Sequence, residues 1–245
     1  MIGKDKIDEK MFLNSSITKI AIPSCVTSIG SRAFNGCLSL EYVVIPSSVK
    51  LIESYAFYGC HSLKQVTIPS LLTTIKKGAF ESCKSLKTLT IPSSVTIIEE
   101  EIFAYCWSLK HANILSFLPE ISINLFDECR SLKQIIIPSS VVKINNCAFY
   151  NCSSLVHVMI PLSVTTIGVQ AFFGCSSLVQ IEIPSSVIII EKQAFKRCTS
   201  LIQIEIPSSV TKIEKQVFEG CSALKEASIF LKTEITNDSF PSQTI

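Results

Sequence analysis

At 245 residues, with 22 Lys+Arg against 20 Asp+Glu, the chain suits one domain or one continuous array. Its net charge of +2 gives no general attraction to nucleic acid or anionic lipid. Hydrophobic residues make up 47% and mean hydropathy is +0.43, which excludes disorder. Apolar runs such as Val187-Ile188-Ile189-Ile190 fall far short of the roughly 18 residues that cross a bilayer, so no transmembrane segment is expected.

The chain starts with a short charged segment, residues 1–10, which mixes acids and bases where a signal peptide would be apolar. From residue 11 to residue 240 a repeat of 23 residues organises the sequence. The first turn is partial, with Met11 and Ile17 in the columns that later hold Phe and Leu. Phe then recurs at Phe34, Phe57, Phe80, Phe103, Phe126, Phe149, Phe172, Phe195 and Phe218. Three residues after each Phe stands a Cys, from Cys37 to Cys221, so nine of the 11 Cys fall in one column. Leu follows three residues later and Ile five after that, with Pro next in most turns, as in Ile206-Pro207.

Each repeat predicts two elements. Leu201-Ile202-Gln203-Ile204-Glu205-Ile206-Pro207 alternates apolar and polar side chains, the period-2 pattern of a strand with one buried face. A Ser-Ser-Val turn follows. Then Ile75, Ala79 and Cys83 fall at i, i+4 and i+8, which predicts a short helical or 3₁₀ segment. One repeat cannot bury its apolar face alone, but stacked copies can, with identical residues forming ladders through the interior.

The turn at 110–126 is irregular, since Leu115 takes the Pro position and Pro119 appears four residues later. Ala112, Ile114, Leu118, Ile121 and Phe126 keep its core columns. The last turn is one residue short, with Ile235 and Phe240 still five apart, and the chain ends in a tail, 241–245. The two ends of such a stack would expose apolar cross-sections and so offer surfaces for a homodimer.

The unit LxxVxIPSSVxxIxxxAFxxCxS resembles the leucine-rich repeat of the BspA-like type, LxxLxLPxxLxxIxxxAFxxCxxL, over nearly the whole chain. The resemblance implies a leucine-rich repeat solenoid, a right-handed αβ/β superhelix of about ten turns. Its parallel sheet would lie on the concave face and short helical or 3₁₀ segments on the other. The family it is similar to comprises surface proteins of mucosal protists and bacteria, associated with attachment to host cells, matrix proteins or other microbes. It brings no catalytic residues to carry over.

If the columns are fold, partner recognition belongs to the variable outward positions of the strands. Tyr42, Val44, His111, Ile136, His157 and Met159 form a candidate protein-binding face, with Glu182 and Glu205 as its charged flank. Tyr105, Trp107 and Phe117, near the irregular turn, form a candidate aromatic patch. No CxxC or HExxH is present, and no nucleotide or nucleophile motif, so no metal, cofactor or enzymatic activity is expected. The Cys column is expected to be packed thiols rather than disulfides, because parallel side chains suit disulfide geometry poorly. Cys25 and Cys147, outside the column, are the candidates for reactive thiols.

Three functions fit these features: a surface or secreted adhesion module binding a host-cell or matrix protein, a cytoplasmic interaction scaffold, or a structural protein assembling through its ends. The absence of a signal peptide and the unpaired thiols favour the second compartment, and the family resemblance favours the first.

Overall fold

The computed structural model describes residues 5–229, 233–236 and 238–241. Residues 1–4 of the charged N-terminal segment and 242–245 of the tail lie outside the described residues. The chain forms two compact units, Met1–Phe117 and Leu118–Ile245, divided within the irregular turn.

Each regular turn except that at 178–184 contributes a long strand, which ends up to three residues before the Pro, and a short one that follows the Ser-Ser-Val turn. In the first unit the short strands Lys6–Ile7, Ser28–Ile29, Leu51–Ile52, Thr74–Ile75 and Ile97–Ile98 form one parallel sheet of five. Their register steps from Ile29 to Ile52 to Ile75, one repeat at a time. The long strands Lys19–Ala21, Tyr42–Val44 and Gln65–Val66 pair as one ladder, and Thr88–Ile91 with His111–Ile114 as another. In the second unit the six short strands from Glu120–Ile121 to Glu234–Ile235 are continuous. Its long strands pair as Gln134–Ile136 with His157–Met159 and as Gln203–Ile206 with Glu226–Ile229. The intervening residues 180–183 belong to neither pair.

The helical segment expected around each Phe is absent: no helix occurs among the described residues. Ile75 opens this element as part of a short strand, and the rest is a chain of hydrogen-bonded turns. The cause is backbone handedness. The residues two before and two after each Phe have positive φ, as at Arg32 (54°) and Gly36 (70°) around Phe34, or Gln193 (59°) and Arg197 (62°) around Phe195. A helix cannot pass through a left-handed residue twice in five. Instead the amides alternate in destination. Those of Arg32, Phe34 and Gly36 donate to Ser54, Ala56 and Tyr58 of the next turn. Those of Ala33, Asn35 and Cys37 donate three residues back, to Gly30, Arg32 and Phe34. The alternation satisfies the buried backbone while tying each turn to its neighbour.

The interior follows the columns. The nine repeat Phe side chains are fully buried. In the first unit the rings stack from Phe12 through Phe34, Phe57 and Phe80 to Phe103 at 4.9–5.8 Å. In the second, Phe126 to Phe240 stack at 4.8–5.7 Å. The first rung is therefore Phe12, not Met11: Phe12 donates its amide to Ala33 and stacks on Phe34, while Met11 is exposed. The first turn is one residue short, and the larger ring takes the interior site. The irregular turn keeps its core as expected, with Ala112, Ile114, Leu118, Ile121 and Phe126 all buried.

The Cys column has a polar role as well as a packing one. Each thiol from Cys60 to Cys106 donates to the carbonyl of a Phe in the preceding turn, as Cys60 Sγ does to Phe34 O at 3.2 Å. The thiols of Cys152, Cys175, Cys198 and Cys221 do the same in the second unit, each at 3.2 Å. The same carbonyl accepts an amide from its own turn, as Phe34 O does from Cys37 N, so both lone pairs are used. Ser hydroxyls act similarly at the turns, with Ser48 donating to Val26 O at 2.6 Å and Ser186 to Val164 O at 2.7 Å.

Candidate functional site

Alternation along the long strands sends one side chain inward and the next outward. Val43 and Ile45 are buried while Tyr42 and Val44 face solvent, and Ile135 and Ile137 are buried while Gln134 and Ile136 do. All eight residues of the predicted face are exposed. Tyr42, Val44 and His111 lie on the first unit, and Ile136, His157, Met159, Glu182 and Glu205 on the second.

On the first unit Tyr42 is flanked by two cations, with the ammonium groups of Lys19 and Lys64 5.4 and 5.6 Å from its ring centroid. Lys64 is held by Glu41 at 2.9 Å. Next to Tyr42 on the outer face, Val44 is 63% exposed. On the second unit Ile136 pairs with Met159 and Gln134 with His157, so these four side chains adjoin across two strands. Ile136 and Met159 are 71% and 77% exposed. A groove of about 430 Å³ follows, lined among others by Leu162, Gln180, Glu182, Gln203 and Glu205. It lies where the long-strand ladder is interrupted at 180–183.

Of the aromatic candidates, Trp107 carries the Lys84 ammonium 4.5 Å from its ring, and Phe117 is 82% exposed. Tyr105 and Trp107 stand on the turn-rich edge around Phe103, whereas Phe117 follows the long strand His111–Ile114. Tyr105 occupies a left-handed position, φ 59°. At the end of the second unit Ile235 is 45% exposed, but Phe240 is buried as the last rung on Phe218.

Burial holds the column thiols protonated: it pushes Cys106 and Cys221 up to about 12 and drives Cys83, Cys152 and Cys198 strongly upward. Such thiols are poor nucleophiles and poor metal ligands. Cys147 is less reactive than its place outside the column suggests, because burial and nearby Asp127 raise it too, and its Sγ lies 3.6 Å from Gln170 Oε1. Cys25 is exposed. Burial and Lys84 lower the pKa of His61. Among the described residues no group of His, Cys, Asp and Glu could hold a metal ion.

Besides Tyr105 and Trp107, the turn-rich edge carries clustered side chains that the sequence did not single out. In the first unit Arg32, Asn35, Tyr55, Tyr58, Glu81 and Glu101 line a cleft of about 300 Å³, with Tyr55 and Tyr58 edge to face at 5.9 Å. In the second, Tyr150 stacks on Phe173 at 4.6 Å and Arg197 lies 5.7 Å from the Phe173 ring. The signal was the recurrence of aromatic residues one position after the Phe column, at Tyr58, Tyr150 and Phe173.

A family model described as a BspA type leucine rich repeat region (6 copies) matches residues 5–133 and 119–245. Among solved structures, a leucine-rich repeat protein from Bacteroides ovatus is 28% identical, with a TM-score of 0.65 over 94% of this chain and 77% of the other. A leucine rich cell surface protein from Faecalibacterium prausnitzii is 29% identical, with a TM-score of 0.54 over 98% and 81%. The pneumococcal vaccine antigen PcpA, at 18% identity and a TM-score of 0.59 over 97% and 63%, shares the fold. No curated protein matches the chain.

Proposed function

The chain belongs to the BspA-type leucine-rich repeat family, and from that premise we propose that it is a non-enzymatic module that binds a protein partner through its long-strand face, acting in adhesion at a cell surface. One observation carries this reading. The repeat makes the interior uniform, and the long-strand face of each unit departs from uniformity by exposing large apolar side chains, Val44 beside Tyr42 on the first unit, and Ile136 and Met159 beside His157 on the second. Apolar groups kept in water on a broad sheet face are the usual core of a protein interface. The surface assignment is supported by the F. prausnitzii structure, whose name describes a cell surface protein. A host-cell or matrix protein is the partner class that the family suggests.

Labelling intact cells with a membrane-impermeant reagent tests location, and the chain is expected to be modified before lysis. Capture of a partner by the wild-type chain and by a Tyr42→Ala, His157→Ala, Met159→Ala variant tests the face. Capture is expected to fall at least about tenfold, since interface hot spots cost about 2 kcal/mol or more each. Unchanged capture by a folded variant would contradict the proposal.

A further inference from the structure

We propose that the column formed by Ile136, Met159, Glu182 and Glu205 on the second unit receives an extended protein segment in which apolar side chains are followed, within about five residues, by Lys or Arg. This rests on the partner-face reading above and specifies the chemistry of that partner.

The four residues hold the same outward position in successive turns, 23 residues apart. At about 4.8 Å per strand the column spans about 14 Å, the reach of four or five extended residues. Its character changes along that length. Ile136 and Met159 present apolar surface, and Leu162 continues it at the rim of the groove. Glu182 and Glu205 then present two carboxylates one turn apart.

Several other carboxylates in the molecule are ion-paired. Glu41, Glu53, Glu100, Glu128 and Glu214 each hold a Lys or Arg within 3.2 Å. The side-chain carboxylates of Glu182 and Glu205 have neither a salt bridge nor a hydrogen bond to any described residue. Two carboxylates one turn apart repel each other, so this pair is kept without internal compensation.

The backbone adds to the demand. Residues 180–183 pair with neither neighbouring long strand, although Ile181 and Ile183 still point into the core. The groove at this interruption therefore combines two carboxylates, the amides of Gln180 and Gln203, and unpaired backbone groups. A neutral segment lying there would desolvate both carboxylates with no compensation. A guanidinium or ammonium supplies what they lack, Arg with the better geometry for a carboxylate.

The test uses fluorescein-labelled peptides with Leu at two alternate positions and Arg at the next, a span of about 13 Å, and counterparts in which citrulline replaces Arg. Binding is read by fluorescence anisotropy at low and high salt. The Arg peptide is expected to bind about tenfold or more tighter than its citrulline counterpart, with the margin shrinking as salt rises. In the near-isosteric E182Q/E205Q variant that margin should vanish. Equal binding of the two peptides to the unaltered chain would overturn the inference, and this comparison needs no variant to fold. An unchanged margin in E182Q/E205Q would overturn it as well. Partner capture separates the two proposals. If capture is lost in Met159→Ala but kept in E182Q/E205Q, the face reading stands and the cationic segment falls; if both variants capture normally, both fall.

Discussion

The two sheets of each unit are built from the same repeat and behave differently. The short-strand sheets run unbroken, five strands in the first unit and six in the second. The long-strand sheets are interrupted, between Gln65–Val66 and Thr88–Ile91 in the first unit and at residues 180–183 in the second. The short strands are followed directly by the turns whose alternating amides bind the next turn, so that edge is stitched from both sides of the Phe. The long strands rely on their own ladder and on inward Val, Leu and Ile. Grooves of about 260 and 430 Å³ occupy the two interruptions. Stability thus resides in the Phe, Cys and short-strand columns, and variation is tolerated on the long-strand face, where partner chemistry can be written.

The contrast is broken most severely through the interior. Phe172→Ala, which empties a rung between Phe149 and Phe195, is expected to cost about 3–5 kcal/mol in urea unfolding. Met159→Ala, on the exposed face, should stay within about 0.5 kcal/mol. Similar losses from both would remove the distinction.

High pH attacks the same interior. Burial raises the folded pKa of the column thiols above the ordinary 9.0, with Cys106 and Cys221 near 12. Below pH 9 both states hold the proton and the contribution is intact. As pH rises further the unfolded chain loses protons that the folded chain keeps, so stability falls, by about 1.4 kcal/mol per pH unit for each such thiol. The melting temperature should therefore drop steeply from pH 9 to 11. A flat profile would mean that the column ionises freely.

A single thiol is a finer probe. Cys175→Ala removes the donor to Phe149 O and leaves a small void, with an expected loss of about 1–2 kcal/mol. Cys175→Ser keeps a donor and should recover part of that loss. The smallest effect lies at the left-handed positions. Ser82 has φ 60°, so Ser82→Gly relieves strain and should stabilise the chain by up to about 1 kcal/mol. Gly36→Ala should do the opposite, because a Cβ there would meet the Asn14 side chain at φ 70°.

Much of this was legible in the sequence. The 23-residue spacing of Phe, Cys and Ile gave the stacked columns, and the alternation before Pro gave the outward residues correctly. The helix was misread because Ile75, Ala79 and Cys83 have helical spacing, although Gly36, Gly59, Gly174 and Gly220 stood two residues after Phe at multiples of that same repeat. Asn14 and Asn151, which also tolerate left-handed backbone, share the column. Strict spacing put Met11 where ring size and the backbone put Phe12. The interruption at 180–183 left no mark at all, since Leu178-Val179-Gln180-Ile181-Glu182-Ile183-Pro184 alternates just as Leu201–Pro207 does. Pairing depends on the spacing of neighbouring strands, which a single strand's pattern does not encode.

Native-state hydrogen exchange tests the difference between the two sheets most directly. The amides of residues 180–183 should exchange orders of magnitude faster than those of Glu191 and Gly168, which donate to Ile167 O at 2.9 Å and Ile144 O at 2.8 Å beside the short strands. Equal protection of the two sets would show a closed long-strand ladder and contradict the account.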